Sequence, residues 1–484
     1  MRRLIRHDPC GIAPKRLASL LLAIVLLPCP AAFAADWPPT RDEGNTTTRS
    51  IDGRLIERFT HGARPEWGYP PGADGEWDNH PAQESGPGEM NHNSFYLVAP
   101  KEPREGAPLC VVLHSANRTA YDYLGYGSLD RKVDPNDDPA TAMTSSPADF
   151  YALYLNSTNA EWWGGSQPQR QAARQVDGPT PAELRVMDTI EWVATQYGTD
   201  RNRIYLCGAS MGGCGSLGIG MPHGDVFAAV RVMVPAGTDY FARRMGGVTE
   251  PPAADAPQAE REAWLKLASG FGRPDPPVVV DFSSPQDNWS STQPLLLRAA
   301  QAGHLPLVLT WGPFGHTAAG SIVGKYPLCE VALAFPWLEI RKDEAYPVFT
   351  RASIDQRSPW LVPPTEAGAQ APAEVDTAGQ INAWFRWKSE RDTPKSFAMQ
   401  LWIARPVLKN PPATMPETAT ADITPRRLQQ FKVEPGGSYA WQLVQDSRTI
   451  ASGKVSPDVA GLLTIPSVAL TTAPSELSVK RDGE

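Results

Sequence analysis

Between residues 94 and 338, short apolar runs alternate with longer stretches whose apolar positions recur on one helical face. The runs 94–99, 109–114, 203–207, 228–234, 278–282 and 307–311 are rich in β-branched residues and mostly bounded by Pro or Gly, which predicts strands. The clearest intervening helix is predicted over 181–197. Thr180 is a capping residue, Pro181 takes the first helical position, and Glu183 completes a capping box. Leu184, Met187, Ile190 and Val193 then mark its expected buried face. A second helix is expected over 294–302, closed by Gly303. Strands alternating with helices predict an α/β domain with a mostly parallel central sheet flanked by helices.

The pattern differs on both sides of this region. Residues 35–93 are rich in Pro, Gly, Asp and Glu with almost no apolar periodicity, and read as an N-terminal arm. The alternating region extends to about residue 354, and residues 355–380, rich in Pro, Ala, Gly and Gln, read as a linker. Residues 381–484 hold short alternating segments at 381–387, 397–404, 429–433, 439–444 and 461–466, separated by turns such as Glu434-Pro435-Gly436-Gly437. They predict a small C-terminal β-rich, sandwich-like domain.

Residues 1–34 have the form of a secretory signal peptide. Arg2, Arg3, Arg6, Lys15 and Arg16 form a basic start, residues 17–27 an apolar stretch, and Ala32-Phe33-Ala34 a small-x-small cleavage pattern. The expectation is a secreted or periplasmic protein that is free of the membrane once cleaved. Five bases against one acid give these residues a charge of +4, so the remainder stands at −12 against −8 for the whole chain. Such an acidic balance argues against nucleic acid or anionic lipid as partner. Cys110, Cys207, Cys214 and Cys329 remain, either as disulfides, which export permits, or as buried thiols. Their spacing suggests no metal, and no cofactor is implied.

The sharpest chemical signal is Arg203-Ile-Tyr-Leu-Cys-Gly208-Ala209-Ser210-Met211-Gly212-Gly213, an apolar strand entering Gly-x-Ser-x-Gly with small residues beyond. A serine on a tight strand-to-helix turn needs such small neighbours, and the helix start favours developing negative charge. A serine hydroxyl also needs a base and a group that orients the base. Asp287 lies in the loop after the strand 278–282 and is the expected acid, with Asp281, inside that strand, and Asp239 as rivals. His316 follows the strand 307–311 in a Gly-flanked loop and is the expected base. His304 suits a helix end instead, and His223 is the remaining histidine downstream of Ser210. For an oxyanion hole, the Met211 amide supplies one donor, and the turn after residues 109–114 supplies Ser115 or Ala116. Trp162, Trp163 and Trp289 are candidate substrate surfaces, because indole faces stack on sugar rings or aromatic acyl groups.

These residues resemble the α/β-hydrolase superfamily, and within it secreted esterases of the feruloyl and acetyl xylan esterase type, similar to proteins described as prolyl-oligopeptidase-like serine hydrolases. The resemblance spans residues 94–338 and rests on Gly208–Gly212, Asp287, His316 and the strand-loop at His114. It implies ester hydrolysis through an acyl-enzyme, with Ser210 as nucleophile, His316 as general acid–base and Asp287 as orienter, on an acylated polysaccharide or related ester. Ser115 stands where glycine is common in the family, and Thr424-Pro-Arg-Arg-Leu resembles C-terminal extensions of such hydrolases. Two other readings use the same residues differently: a prolyl-oligopeptidase-like peptidase, for which 35–93 is too short to hold a propeller, and a non-catalytic glycan-binding protein.

Overall fold

The computed structural model describes residues 39–41, 54–61, 94–116, 118–124, 147–157, 162, 179–235, 251–253, 255–316, 325–361 and 378–483. The candidate signal peptide, Trp163, Asp239 and most of the region read as an N-terminal arm lie outside these residues.

A ten-stranded sheet forms the centre. Its strands are β1 (Thr40–Arg41), β2 (Ile56–Thr60), β3 (Ser94–Val98), β4 (Leu109–Leu113), β5 (Tyr151–Leu155), β6 (Ile204–Ala209), β7 (Ala229–Met233), β8 (Val278–Ser283) and β9 (Leu307–Trp311), and β11 (Gly379–Ile381) joins at the far edge. The order is β1-β2-β3-β5-β4-β6-β7-β8-β9-β11. From β5 through β9 every pairing is parallel, and the strands outside that block pair antiparallel. Helices cover the sheet and the crossover between β4 and β5 reverses the spatial order. In a sheet covered on both faces both side-chain rows are apolar, so β4 reads Leu-Cys-Val-Val-Leu with every residue buried.

Several strands were not expected, among them two that extend the central sheet. Residues 56–60 form β2, with Phe59 stacked on Phe95 at 5.2 Å, so the sheet begins before Ser94. Residues 379–381, at the end of the proline-rich stretch, pair with β9 through Trp311, Thr310 and Leu309. The helix Pro181–Tyr197 carries the expected capping box, with Glu183 N–H donating to Thr180 Oγ1 at 3.2 Å and Thr180 N–H to Glu183 Oε2 at 3.3 Å. Its fully buried apolar positions are Ala182, Val186, Ile190, Val193 and Ala194, whereas Leu184 and Met187 are half-buried. The stripe is turned because Glu183 and Arg185 also face inward, Glu183 bonding His223 at 2.7 Å and Arg185 donating to Asn156 O at 2.8 Å.

Beyond β9 the chain builds two antiparallel sheets. β10 (Tyr346–Thr350), β14 (Thr418–Arg426) and β17 (Ile465–Thr471) form one, in the order β10-β14-β17. β12 (Phe385–Asp392), β13 (Ser396–Ile403), β15 (Tyr439–Gln445), β16 (Arg448–Val455) and β18 (Ser475–Arg481) form the other, in the order β12-β13-β18-β15-β16. Their apolar faces share one core, in which Phe349 stacks on Phe385 at 4.3 Å. Residues 429–433, an expected strand, are irregular: the Asp392 carboxylate accepts from the amides of Gln429, Gln430 and Phe431, which replaces ladder partners.

The Pro-Arg-Arg stretch that ends β14 ties these sheets to the central sheet. Arg426 donates to Asp275 Oδ1 at 2.7 Å, to Ser269 O at 2.9 Å and to His304 O at 3.0 Å. Arg427 reaches the carbonyls of Ala228, Pro276, Phe227 and Arg341 at 3.2–3.3 Å, with its guanidinium over the Tyr346 ring. Most of these carbonyls lie just before β7, β8 and β9, so the arginines grip the ends of the strands opposite Ser210. Cys110, Cys207, Cys214 and Cys329 are buried and form no disulfide among the described residues. Among the described residues no helix is long and apolar enough to cross a membrane.

Candidate active site

Ser210 sits between β6 and the helix Met211–Gly220, with φ 54° and ψ −119°. A non-glycine residue in that region costs roughly 1–3 kcal/mol, which the surroundings must offset. They hold it from both sides: Ser210 N–H donates to Met233 O of β7 at 2.9 Å, and Ser210 O accepts the first helical bond from Cys214 N–H at 2.9 Å. The flanking glycines are required sterically. A Cβ on Gly208 would lie 2.4 Å from Gly212 O, and one on Gly212 would lie 2.0 Å from Leu113 O. The turn therefore packs backbone against backbone, and the serine hydroxyl projects beyond the C-terminal ends of the strands.

The loops after β8 and β9 bring Asp287 and His316 to the same rim. His316 Nε2 lies 2.7 Å from Ser210 Oγ, and its Nδ1 lies 2.7 Å from Asp287 Oδ2. A carboxylate only accepts, so Nδ1 carries the proton and Nε2 is left to accept from the serine hydroxyl. Asp287 is 4% exposed, and its other oxygen accepts from Trp289 N–H at 2.9 Å. Its own backbone is fixed by Asp287 N–H donating to Ser284 O at 3.0 Å and by Ser290 Oγ donating to Asp287 O at 2.8 Å. Ser284, absent from the sequence expectations, couples the two loops: its Oγ accepts from Gly315 N–H at 2.9 Å and from Gln286 N–H at 3.3 Å. His304, by contrast, faces Thr424 in the C-terminal region at 2.9 Å, and His223 bonds Glu183.

Asp281 does not approach the imidazole. It is fully buried within β8, where Ser283 Oγ donates to it at 2.7 Å and the Gln293 amide also donates. Burial pushes its carboxyl up to about 7, against the lowering effect of those two bonds.

The turn after β4 departs from expectation in a specific way. Ser115 N–H donates to Tyr123 Oη at 3.0 Å, Ser115 Oγ donates to Ala209 O at 2.9 Å, and the two hydroxyls share a short hydrogen bond. The Ser115 amide is thus already engaged, whereas the Ala116 amide has no hydrogen-bond partner among the described residues and Ala116 is exposed. Met211 opens the helix after the nucleophile and is buried. His114 locks the same turn: its Nδ1 faces Ser115 O at 2.8 Å and its Nε2 accepts from Ser157 N–H at 2.9 Å. Tyr123 was missed because its link to Ser115 spans a turn of polar and irregular residues with no periodic signal.

Trp289 is 52% exposed and its ring centroid lies 6.1 Å from that of His316, so it borders the site. Trp162 is not a surface platform. It is completely buried, donates from Nε1 to His114 O at 2.9 Å, and would block a Cβ on Gly215 at 2.5 Å. Its size suggested a stacking face, but the turn after β4 needs it as filler and as a donor. Among the described residues no group of three metal-ligating side chains converges.

No family model matches the chain, and no curated protein does. Solved structures show similarity at low identity. An S-formylglutathione hydrolase from Agrobacterium tumefaciens aligns at 13% identity and a TM-score of 0.35, over 58% of this chain and 94% of that one. A ferulic acid esterase aligns at 17% identity and a TM-score of 0.31, over 47% of this chain and 87% of that one. An acetyl xylan esterase from Aspergillus awamori aligns at 13% identity and a TM-score of 0.29, over 44% of this chain and 77% of that one. The chemistry follows from the site's own geometry and not from likenesses this weak.

Proposed function

We propose that the protein is a serine hydrolase that cleaves carboxylic esters through an acyl-enzyme. The observation that carries this reading is the unbroken relay Ser210 Oγ–His316 Nε2, His316 Nδ1–Asp287 Oδ2, with both separations at 2.7 Å. In this reading His316 takes the serine proton as Oγ bonds to the ester carbonyl carbon, and Asp287 stabilises the resulting imidazolium. The oxyanion is received by the amides of Met211 and Ala116, and His316 returns its proton to the departing alkoxide. Water then attacks the acyl-enzyme by the same route and restores the free serine.

The exposed Trp289 beside the imidazole supports a flat or ring-bearing acyl or sugar group, hence an acylated polysaccharide or related ester as substrate. The composition of residues 1–34 supports action outside the cytoplasm. The test is hydrolysis of p-nitrophenyl acetate, methyl ferulate and proline p-nitroanilide by the wild type and by Ser210→Ala. Ester turnover that disappears in the variant is expected. Turnover of the anilide alone would move the assignment to a peptidase, and no Ser210-dependent turnover of any of the three would remove the enzymatic reading.

A further inference from the structure

The outer face of the sheet β12-β13-β18-β15-β16 carries a groove of about 510 Å³ with no role in the chemistry above. Its inner face is closed by Phe397, Met399, Leu401, Leu477, Tyr439 and Leu443, all in the core. On the outer face the antiparallel register sets two cross-strand rows. One runs Arg391, Ala398, Ser478, Gln442, Ser452, and the other runs Ser396, Lys480, Ala440, Lys454. Small residues with Gln442 among them thus form the floor at the centre of the sheet, and longer cationic side chains stand around it. Ala398 and Ser478 are at most 9% exposed although they face outward, which shows how far the longer neighbours rise above them.

The charge here opposes that of the chain. Among the described residues Arg391 and Lys480 make no ion pair, and Lys454 is paired with Asp482 at 2.6 Å. Lys480 and Lys454 stand on strands two apart, so their backbone positions are separated by about 10 Å. We propose that this groove binds a polysaccharide bearing sugar carboxylates. Three cations with one partnering acid suit a polymer with spaced charges, whereas a nucleic acid presents a phosphate at every residue. Hydroxyl and amide side chains along the floor, Ser478, Ser452 and Gln442, suit the hydroxyl-rich remainder of such a chain.

The proposal stands independently of the ester-hydrolase reading and is tested separately from it. Native affinity electrophoresis and calorimetry of the full chain with polygalacturonate, with neutral galactan, and with polyglutamate form the assay. Polygalacturonate is expected to bind, weakening with salt, and galactan and polyglutamate to bind at least tenfold more weakly. Arg391→Gln with Lys480→Gln should weaken polygalacturonate binding at least tenfold while leaving p-nitrophenyl acetate turnover and Tm unchanged. Should that pair unfold the sheet, Gln442→Glu places a repelling carboxylate on the same floor and should weaken binding similarly. Equal binding of polyglutamate, no binding of polygalacturonate at low salt, or wild-type affinity in a folded variant overturns the proposal. Loss of Ser210-dependent turnover alone would not touch it.

Discussion

Replacing Asp287 by asparagine tests the relay at its most informative atom. Asp287 Oδ1 accepts from Trp289 N–H at 2.9 Å and Oδ2 faces His316 Nδ1 at 2.7 Å. In the variant one of these oxygens becomes an NH2 group. If the amide oxygen stays on Trp289, the NH2 faces Nδ1, which must then accept. The imidazole shifts its proton to Nε2 and cannot take one from Ser210. Flipping the amide restores the tautomer but leaves Trp289 N–H facing a donor, a loss of about 1–3 kcal/mol. That limits the competent tautomer to roughly one part in ten to one in a hundred. Loss of the carboxylate's stabilisation of the imidazolium multiplies this, for a total of about 10³- to 10⁴-fold in kcat/KM, or about 4–5 kcal/mol. The assay is p-nitrophenyl acetate hydrolysis, with thermal unfolding as control, because an isosteric swap should leave Tm within a few degrees. Activity within tenfold of wild type in a folded Asp287→Asn protein would refute the tautomer argument and the placement of the acid.

Three further perturbations follow from the geometry. Tyr123→Phe leaves the Ser115 amide without its acceptor and removes one of the two hydrogen bonds at the Ser115 hydroxyl, so kcat on p-nitrophenyl acetate should fall about tenfold with KM nearly constant; an unchanged kcat would dissociate Tyr123 from the oxyanion turn. Arg427→Ala leaves several strand-end carbonyls unpaired and should lower unfolding free energy by about 3 kcal/mol, read as a lower urea midpoint, with the site geometry intact. Asp281, raised to about 7 by burial, binds a proton in the folded state that the unfolded chain releases near pH 4, so it makes stability fall as pH rises from about 4 to 7. Asp281→Asn should flatten that fall in urea unfolding at pH 5 and pH 8, and an unaltered pH dependence would place its origin elsewhere.

The parts of the molecule legible in the sequence were those fixed by local chemistry. The run ending in Gly208-Ala209-Ser210-Met211-Gly212 specifies a strand, a strained turn and a helix within a dozen residues, and the structure follows it. Thr180, Pro181 and Glu183 likewise set a helix start through neighbours in the chain. Asp287 and His316 were readable because parallel topology brings loops after successive strands to one rim. What escaped depends on distant partners. Gly379–Ile381 is a strand only because β9 offers it an edge, and a Cβ on Gly379 would meet the Trp311 indole at 2.1 Å. Nothing local marks Arg426 and Arg427 as buried, because their partners lie more than 80 positions away. Trp162 and Tyr123 belong to the same class, since each is defined by the turn it fills or fastens.

The arginine clamp at the end of β14 also bears on how this polypeptide can be divided. Domain-like boundaries drawn in the proline-rich stretch invite expression of residues 94–354 alone. Such a fragment would lack β11 at the sheet margin and both guanidinium groups, and β10 would have lost the neighbour it lies against. The floor beneath three central strands would open to water on the side away from Ser210. Shortened versions should therefore precipitate or melt early even though every member of the proton relay is retained, and any search for the minimal active unit has to keep the chain through Arg427.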